Sequence, residues 1–201
     1  MEGTTSNGAA SGASASPSAS TTPLPTAPQV TKTDDASLAL LGRAREVLAA
    51  LKARNGAQLA ALADPVKGVR FTPYPYVEPD QDIVLTATVL SRAFPDPLVR
   101  VWGTRDGIGG PISLTFSDYV AQFVYDRDYL TRADVLVNAT PADANGNTID
   151  NTTVTYPAAM RVEFHQPSTP NTLDWRSVRL FFEQRSGTWF LVAVVHGQWT
   201  I

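Results

Sequence analysis

The chain has 201 residues, 19 acidic against 16 basic side chains, a net charge of −3 and no cysteine. Without a Lys/Arg cluster, nucleic acid and anionic membrane surfaces are not expected partners. Without cysteine, disulfides, thiol catalysis and thiolate-bound zinc are excluded, and no apolar run approaches the roughly 20 residues of a membrane helix.

From Gly3 to Val30 nearly every residue is Ser, Thr, Ala, Gly or Pro, with no charge and a single Leu. Such a segment has too little apolar surface to offset the entropy of ordering it. Residues 1–33 are therefore expected to form a disordered tether and residues 34–201 one domain. Met1 is followed by Glu2 and Gly3 rather than by a basic, apolar signal sequence. An uncharged leader of this composition commonly separates an envelope domain from its anchor. The expected location is thus extracytoplasmic, in the cell envelope, membrane-anchored in the precursor or secreted; a cytoplasmic protein with a floppy start is the alternative.

The domain opens with a helix that Asp34 or Asp35 can cap, carrying a stripe of Leu38, Leu41, Arg45, Leu48 and Leu51 widened by Val47, and stopping at Asn55-Gly56. A short helix over 57–62 follows, so the two make a hairpin with one apolar face. Residues 69–72 alternate like a strand and run into Pro73-Tyr74-Pro75-Tyr76, where two prolines set an extended rim. Residues 83–85 read as a strand, or Thr86 caps a helix over 87–94. Residues 99–103 read as the partner strand of the first, with a glycine turn beyond. Thr115 or Ser117 then caps a helix that turns Tyr119, Val120, Phe123 and Val124 inward.

Beyond Asp128 the period becomes two, predicting strands at 133–139, 153–165, 174–184 and 188–200, the last two joined by a Ser186-Gly187 hairpin. The last strand places Phe190, Val192 and Val194 on one face and Trp189, Leu191, Ala193 and Val195 on the other. A strand apolar on both faces is covered on both: helices on one side, and a loop, the tail or a second copy on the other. The order helix, helix, strand pair, helix, four strands is that of the NTF2-like (cystatin-like) α+β fold, a bent antiparallel sheet wrapped around N-terminal helices.

Five blocks also carry a family resemblance: residues 66–74, 101–107, 123–126, 173–180 and the terminal 189–201. From about Leu48 to its end the chain resembles uncharacterised bacterial lipoprotein-type extracytoplasmic domains, most specifically in the block ending Trp199-Thr200-Ile201. The resemblance implies an envelope location and an NTF2-like fold, and no substrate. It departs at the anchor, since no lipobox cysteine is present.

His165 and His196 are the only histidines. If the strands bring them together, with Asp174 and Arg176 at a strand start, they form a general acid/base cluster. The plainer expectation makes His165 a surface residue and His196 a satisfied strand-end residue. Tyr74, Tyr76, Trp102, Tyr125, Trp175 and Trp199 stand at element ends and, with His165, would line a small-ligand pocket; ordinary core and rim packing is the alternative. Asp143-x-Asn145-x-Asn147 with Asp150 departs from a calcium loop in placing its Gly fourth and lacking the twelfth-position Glu. No metal or cofactor is expected.

Two functions remain from this reading. One is a non-enzymatic envelope module binding a small molecule, peptide, glycan or envelope protein, with a homodimer through the sheet face as a further option. The other is a small hydrolase or isomerase using His196 with Asp174 or Arg176.

Overall fold

The computed structural model describes residues 35–107, 109–143 and 149–199. Residues 1–34, residue 108, residues 144–148 (with Asn145 and Asn147 of the calcium-loop comparison) and Thr200-Ile201 lie outside the described residues. Helix α1 (Asp35–Lys52) and helix α2 (Gly56–Leu62) open the domain, the second capped by Asn55, whose side chain accepts from the Gln58 amide. The buried stripe of α1 is Leu40, Ala44, Val47, Leu48 and Leu51, whereas Leu38 is exposed. Counting only large apolar residues misplaced that face by part of a turn. Alanines on the contact side let the helix lie close to its neighbours.

Next come β1 (Val69–Thr72), β2 (Ile83–Leu85) and α3 (Ala87–Leu90), then β3 (Arg100–Thr104) and β4 (Pro111–Leu114). Both readings of the 83–94 stretch hold: the strand forms, and Thr86 accepts from the Val89 amide to start the helix. Helix α4 (Phe116–Phe123) is capped by Thr115, whose Oγ1 accepts from the Asp118 amide and donates to Asp118 Oδ2. Tyr119, Val120, Phe123 and Val124 are all buried. The chain closes with α5 (Tyr129–Arg132), β5 (Asp134–Val137), α6 (Thr152–Thr155), β6 (Met160–Gln166), β7 (Arg176–Arg185) and β8 (Thr188–Gln198).

Six strands form one sheet in the order β2-β1-β8-β7-β6-β5, and β3 with β4 forms a separate ribbon. This is the α+β arrangement expected, helices packed on one sheet, with two corrections. The sheet is mixed, since β1 runs parallel to β8 while every other pairing is antiparallel. The partner of β1 in its hairpin is β2, not β3. A third correction concerns residues 152–155, which form a helical turn rather than the start of a long strand. Their β-branched run suggested extension. Asp150 instead accepts from both the amide and hydroxyl of Thr152, and Pro157 prevents early entry into the ladder.

The inner face of the sheet packs α1, α2 and α4 around Val162, Phe164, Val178, Leu180, Phe182, Leu191 and Val194. Phe181, Val192, Ala193 and Val195 form a smaller cluster on the outer face with Tyr156 and Ala159. The alternation in β8 is therefore broken. A bulge pairs Phe181 with Ala193 but Phe182 with Leu191, so Val192 is the extra residue and joins Ala193 on the outer side. What covers that outer face is the chain itself, through residues 138–143 and 149–159 of the connection between β5 and β6.

Candidate functional site

Three places gather chemistry-bearing side chains. The first lies where the inner face meets the ends of β7 and β8. His196 is fully buried, its Nδ1 3.2 Å from the Pro73 carbonyl oxygen and its Nε2 3.5 Å from Asp126 Oδ2. The second distance suits an ion pair, and Nε2 makes no hydrogen bond. Asp126 also accepts from the Tyr129 hydroxyl at 2.7 Å and lies 3.3 Å from Arg176 Nε. Burial pushes its carboxyl upward, but His196, Tyr129 and Arg176 together hold it below the usual carboxylate value. Burial, then the Asp126 charge, pushes the Tyr129 phenol far up. The Phe123 ring stands edge-on to His196 with centroids 6.0 Å apart. Solvent reaches this cluster through Asp126 and Arg176, not through the imidazole.

The sequence-selected residues do not converge. His165 and His196 lie on opposite faces of the sheet: His165 stands opposite Ser177 and His196 opposite Val178, adjacent residues of β7 whose side chains alternate. Arg176 does reach the His196 cluster, through Asp126. Asp174 is elsewhere, its carboxylate accepting from the Thr169 amide and from the Thr169 and Thr172 hydroxyls. Those bonds, Thr172 first, lower its pKa to about 2 and make it a loop staple. Asp126 holds the place that was assigned to it.

Trp102 is a core residue, stacked on Tyr119 with centroids 4.0 Å apart and donating to the Leu114 carbonyl. Tyr74 is half-buried and accepts from the Asp106 amide, while Tyr76 is exposed. The hydroxyl of Tyr125 donates to Asp128, and burial followed by that bond pushes it up to about 12. Trp175 is buried against the His165 ring, and Trp199 is half-buried.

The second place is the outer face under the β5–β6 connection, where one row across the sheet runs Thr72, Val195, Arg179, Glu163, Leu136. Glu163 is fully buried, with Oε1 3.1 Å from Arg179 Nε and Oε2 3.9 Å from Arg161 Nε. The connection supplies further partners. Asp150 Oδ2 lies 2.7 Å from Arg179 Nη1, Asp143 Oδ1 lies 2.6 Å from His165 Nε2, and the Ala139 carbonyl accepts from Arg161. Asn151 exchanges two hydrogen bonds with the Val77 backbone, tying the connection to the rim after β1. Gly197 lies opposite Ser177, and a Cβ there would stand 2.4 Å from Ser177 Oγ, so any larger residue must displace that hydroxyl.

Of the eleven buried side-chain polar atoms without a hydrogen bond among the described residues, nine belong to this layer. Ion pairs and packing, rather than a closed hydrogen-bond net, therefore hold it. Among the described residues no group of three or more His, Asp or Glu side chains is placed to hold a metal ion.

The third place is open to solvent. Two concavities flank Tyr156, whose ring tilts over Phe181 at 5.1 Å. One, of about 360 Å³, lies between the end of β5 and α6 and includes Asn138, Tyr156, Pro157, Met160, Arg161 and Phe181 in its lining. The other, of about 320 Å³, includes Lys67, Arg70, Val84, Glu183 and Val192, and its Lys67 and Glu183 are paired at 2.6 Å.

Reasoning from sequence missed this site, because Arg161 and Glu163 alternate with apolar residues as solvent-facing strand residues do. The available signal was Arg179 in the next strand, a charge opposite in sign to Glu163 on the same face.

No protein-family model matches this chain, and no curated protein matches it. Among solved structures, a Xanthomonas campestris chain named as a calcium/calmodulin dependent protein kinase II association domain aligns over 80% of this chain and 84% of its own length. The identity is 13% and the TM-score 0.33.

Proposed function

We propose that this domain is a non-catalytic binding module of the cell envelope, with its ligand seated in the outer-face concavities beside Tyr156. One observation carries the reading. Each histidine is spent in a buried pairing on its own side of the sheet, His196 with Pro73 and Asp126, His165 with Asp143. By contrast, the 360 Å³ concavity sets aromatic, proline and methionine walls beside the polar groups of Asn138, Thr153 and Arg161, a combination that small-ligand sites use. The envelope location is supported by the uncharged Ser/Thr/Ala/Pro leader and by the resemblance of the terminal blocks.

An amide-resolved NMR titration with a mixed library of acids, amines, sugars and short peptides tests the module. Shifts centred on residues 138, 153–161 and 181 are expected, unchanged in His196→Gln. Shifts centred on Asp126, Arg176 and His196, accompanied by turnover that His196→Gln abolishes, would replace the module with an enzyme. Fractionation of cells making the native precursor tests the location, and recovery in the cytosol would remove it.

A further inference from the structure

We infer that the 360 Å³ cleft takes a small carboxylate with an aromatic or branched apolar body, and that Arg161 receives the carboxylate. The inference rests on the binding-module reading and names its ligand class. It begins with charge. Arg161 is the one charged side chain in the lining, and the residue is only 7% exposed. Its Nη2 donates to the Ala139 carbonyl and lies 3.4 Å from Thr140 Oγ1, both uncharged acceptors.

Among the described residues its Nε has no hydrogen-bond partner, and the carboxylate oxygen paired with it, Glu163 Oε2, is 3.9 Å away. That carboxylate is engaged more closely by Arg179, at 3.1 Å. A buried guanidinium without a contact-distance counter-ion is costly, and a carboxylate meeting its fork supplies charge-assisted hydrogen bonds. Arg179 has no such deficit, since Asp150 and Glu163 both pair with it.

Shape gives the rest of the ligand. Beside Arg161, its cross-strand neighbour Phe181 with Tyr156 tilted over it, continued by Pro157 and Met160, makes an apolar wall that suits a ring or a branched chain. A volume near 360 Å³ lies at the small end of the range of roughly 300–1,000 Å³ for ligand sites. Asn138 fixes the rim. Its backbone is left-handed at φ 49°, its Oδ1 accepts from the Arg161 amide, and its amide nitrogen donates to the Met160 sulfur, a weak acceptor. That amide is a second donor for the acid. An amine would meet Arg161 with like charge. A sugar would leave most of the apolar wall unmatched. The neighbouring 320 Å³ concavity lacks this logic because Lys67 already holds Glu183.

Isothermal titration of the full chain with 3-phenylpropionate, its neutral isostere 3-phenylpropionamide, and 2-phenylethylamine decides the matter. The acid is expected to bind about tenfold or more tighter than the amide, the scale of one charge-assisted contact, and the amine not at all. Arg161→Gln should erase the acid–amide difference, and Arg161→Lys should retain part of it. Ala158→Trp, at an exposed lining position, should block both ligands without moving the thermal midpoint. Equal affinity for acid and amide would overturn the carboxylate class and leave the module standing. Acid binding that survives Ala158→Trp would overturn the placement in this cleft. Silence from these three probes and from the whole NMR library would overturn the module itself.

Discussion

The inner and outer faces of the six-stranded sheet are made by the same strands, yet they are covered in different ways. The inner face meets helices through an almost wholly apolar cluster, with aromatic pairs such as Trp102–Tyr119 and Phe71–Phe116 filling the space beneath α4. The outer face meets a long connection that carries little apolar surface of its own. It is closed by Arg179 with Glu163 and Asp150, by His165 with Asp143, and by one small cluster around Phe181. Helices supply area, which is non-directional and stabilises in proportion to burial. A loop supplies point contacts, which fix register and leave gaps. Those gaps are where the open concavities lie.

The sharpest break of this contrast is Val194→Asp. Val194 is fully buried in the inner cluster, in the middle of β8. An unpaired carboxylate there costs several kcal/mol against a typical total of roughly 5–15, so the domain should not fold cooperatively. Circular dichroism melting checks it. A cooperative transition near the parent midpoint would show that the inner face is not the main source of stability.

Next in size is the buried ion pair of the outer face. Glu163→Leu removes the buried partner of Arg179, leaving it only the half-exposed Asp150, and should cost about 2–4 kcal/mol, while Glu163→Leu combined with Arg179→Met should cost less than the two single changes added. Urea unfolding of the double-mutant cycle reads the coupling. Strict additivity would mean that the two groups are independently solvated, and the outer layer would then not be a buried charge layer.

A smaller effect separates the faces by pH. Asp64, fully buried by its neighbours, accepts from the Val66 and Lys67 amides and from Arg185 Nε at 2.6 Å. Burial pushes its carboxyl upward, but Arg185 and the two amides outweigh it, and the net pKa is lowered. The unfolded chain then binds the proton more readily. Stability from this group is present above an unfolded pKa of about 3.9 and is lost as pH falls through the lower folded value. Asp64→Asn should therefore cost on the order of 1–2 kcal/mol at pH 7, held down by the partial exposure of Arg185. The gap to the parent should close in acid. Thermal midpoints from pH 7 to 2.5 check it, and a constant gap would mean that the charge is not what matters.

Which parts were legible follows the same division. Local chemistry was readable: Thr115 before Tyr119, Val120, Phe123 and Val124 gave α4 its cap and its face, and Ser186-Gly187, at φ 48° and 81°, turned where a two-residue hairpin must. The double apolarity of β8 correctly required a second cover. Its bulge at Val192 was not readable, because pairing register belongs to two strands at once. The partner of His196 was missed for a related reason. Asp126 lies 70 residues earlier, and only the fold brings it within 3.5 Å, whereas Asp174 looked near in sequence and is consumed by Thr169 and Thr172. The outer layer misled most, since Arg161, Glu163 and His165 alternate with Val162 and Phe164 as an exposed strand would.

The smallest expected effect sharpens the comparison most finely, because it concerns the loop cover alone. Asp143 holds both sides of the β6 end: Oδ1 meets His165 Nε2 at 2.6 Å, and Oδ2 accepts from the Ser168 amide at 3.0 Å. Burial raises its pKa, and the Ser168 amide and His165 outweigh that and lower it, so the carboxylate is ionised at neutral pH. The side chain is 38% exposed, and a carboxylate–imidazole contact with that much solvent is worth roughly 0–1 kcal/mol. Asp143→Ala should accordingly leave global unfolding almost unchanged while freeing the Ser168 amide. Hydrogen exchange separates the two, since local opening is measured apart from the global transition. Ser168 should exchange faster in the variant, while Val162 and Val178, in the ladder beneath, keep their protection. Faster exchange at Val162 and Val178 as well would show that the cover and the sheet open as one unit, so that the two faces are not the separable structures their construction implies.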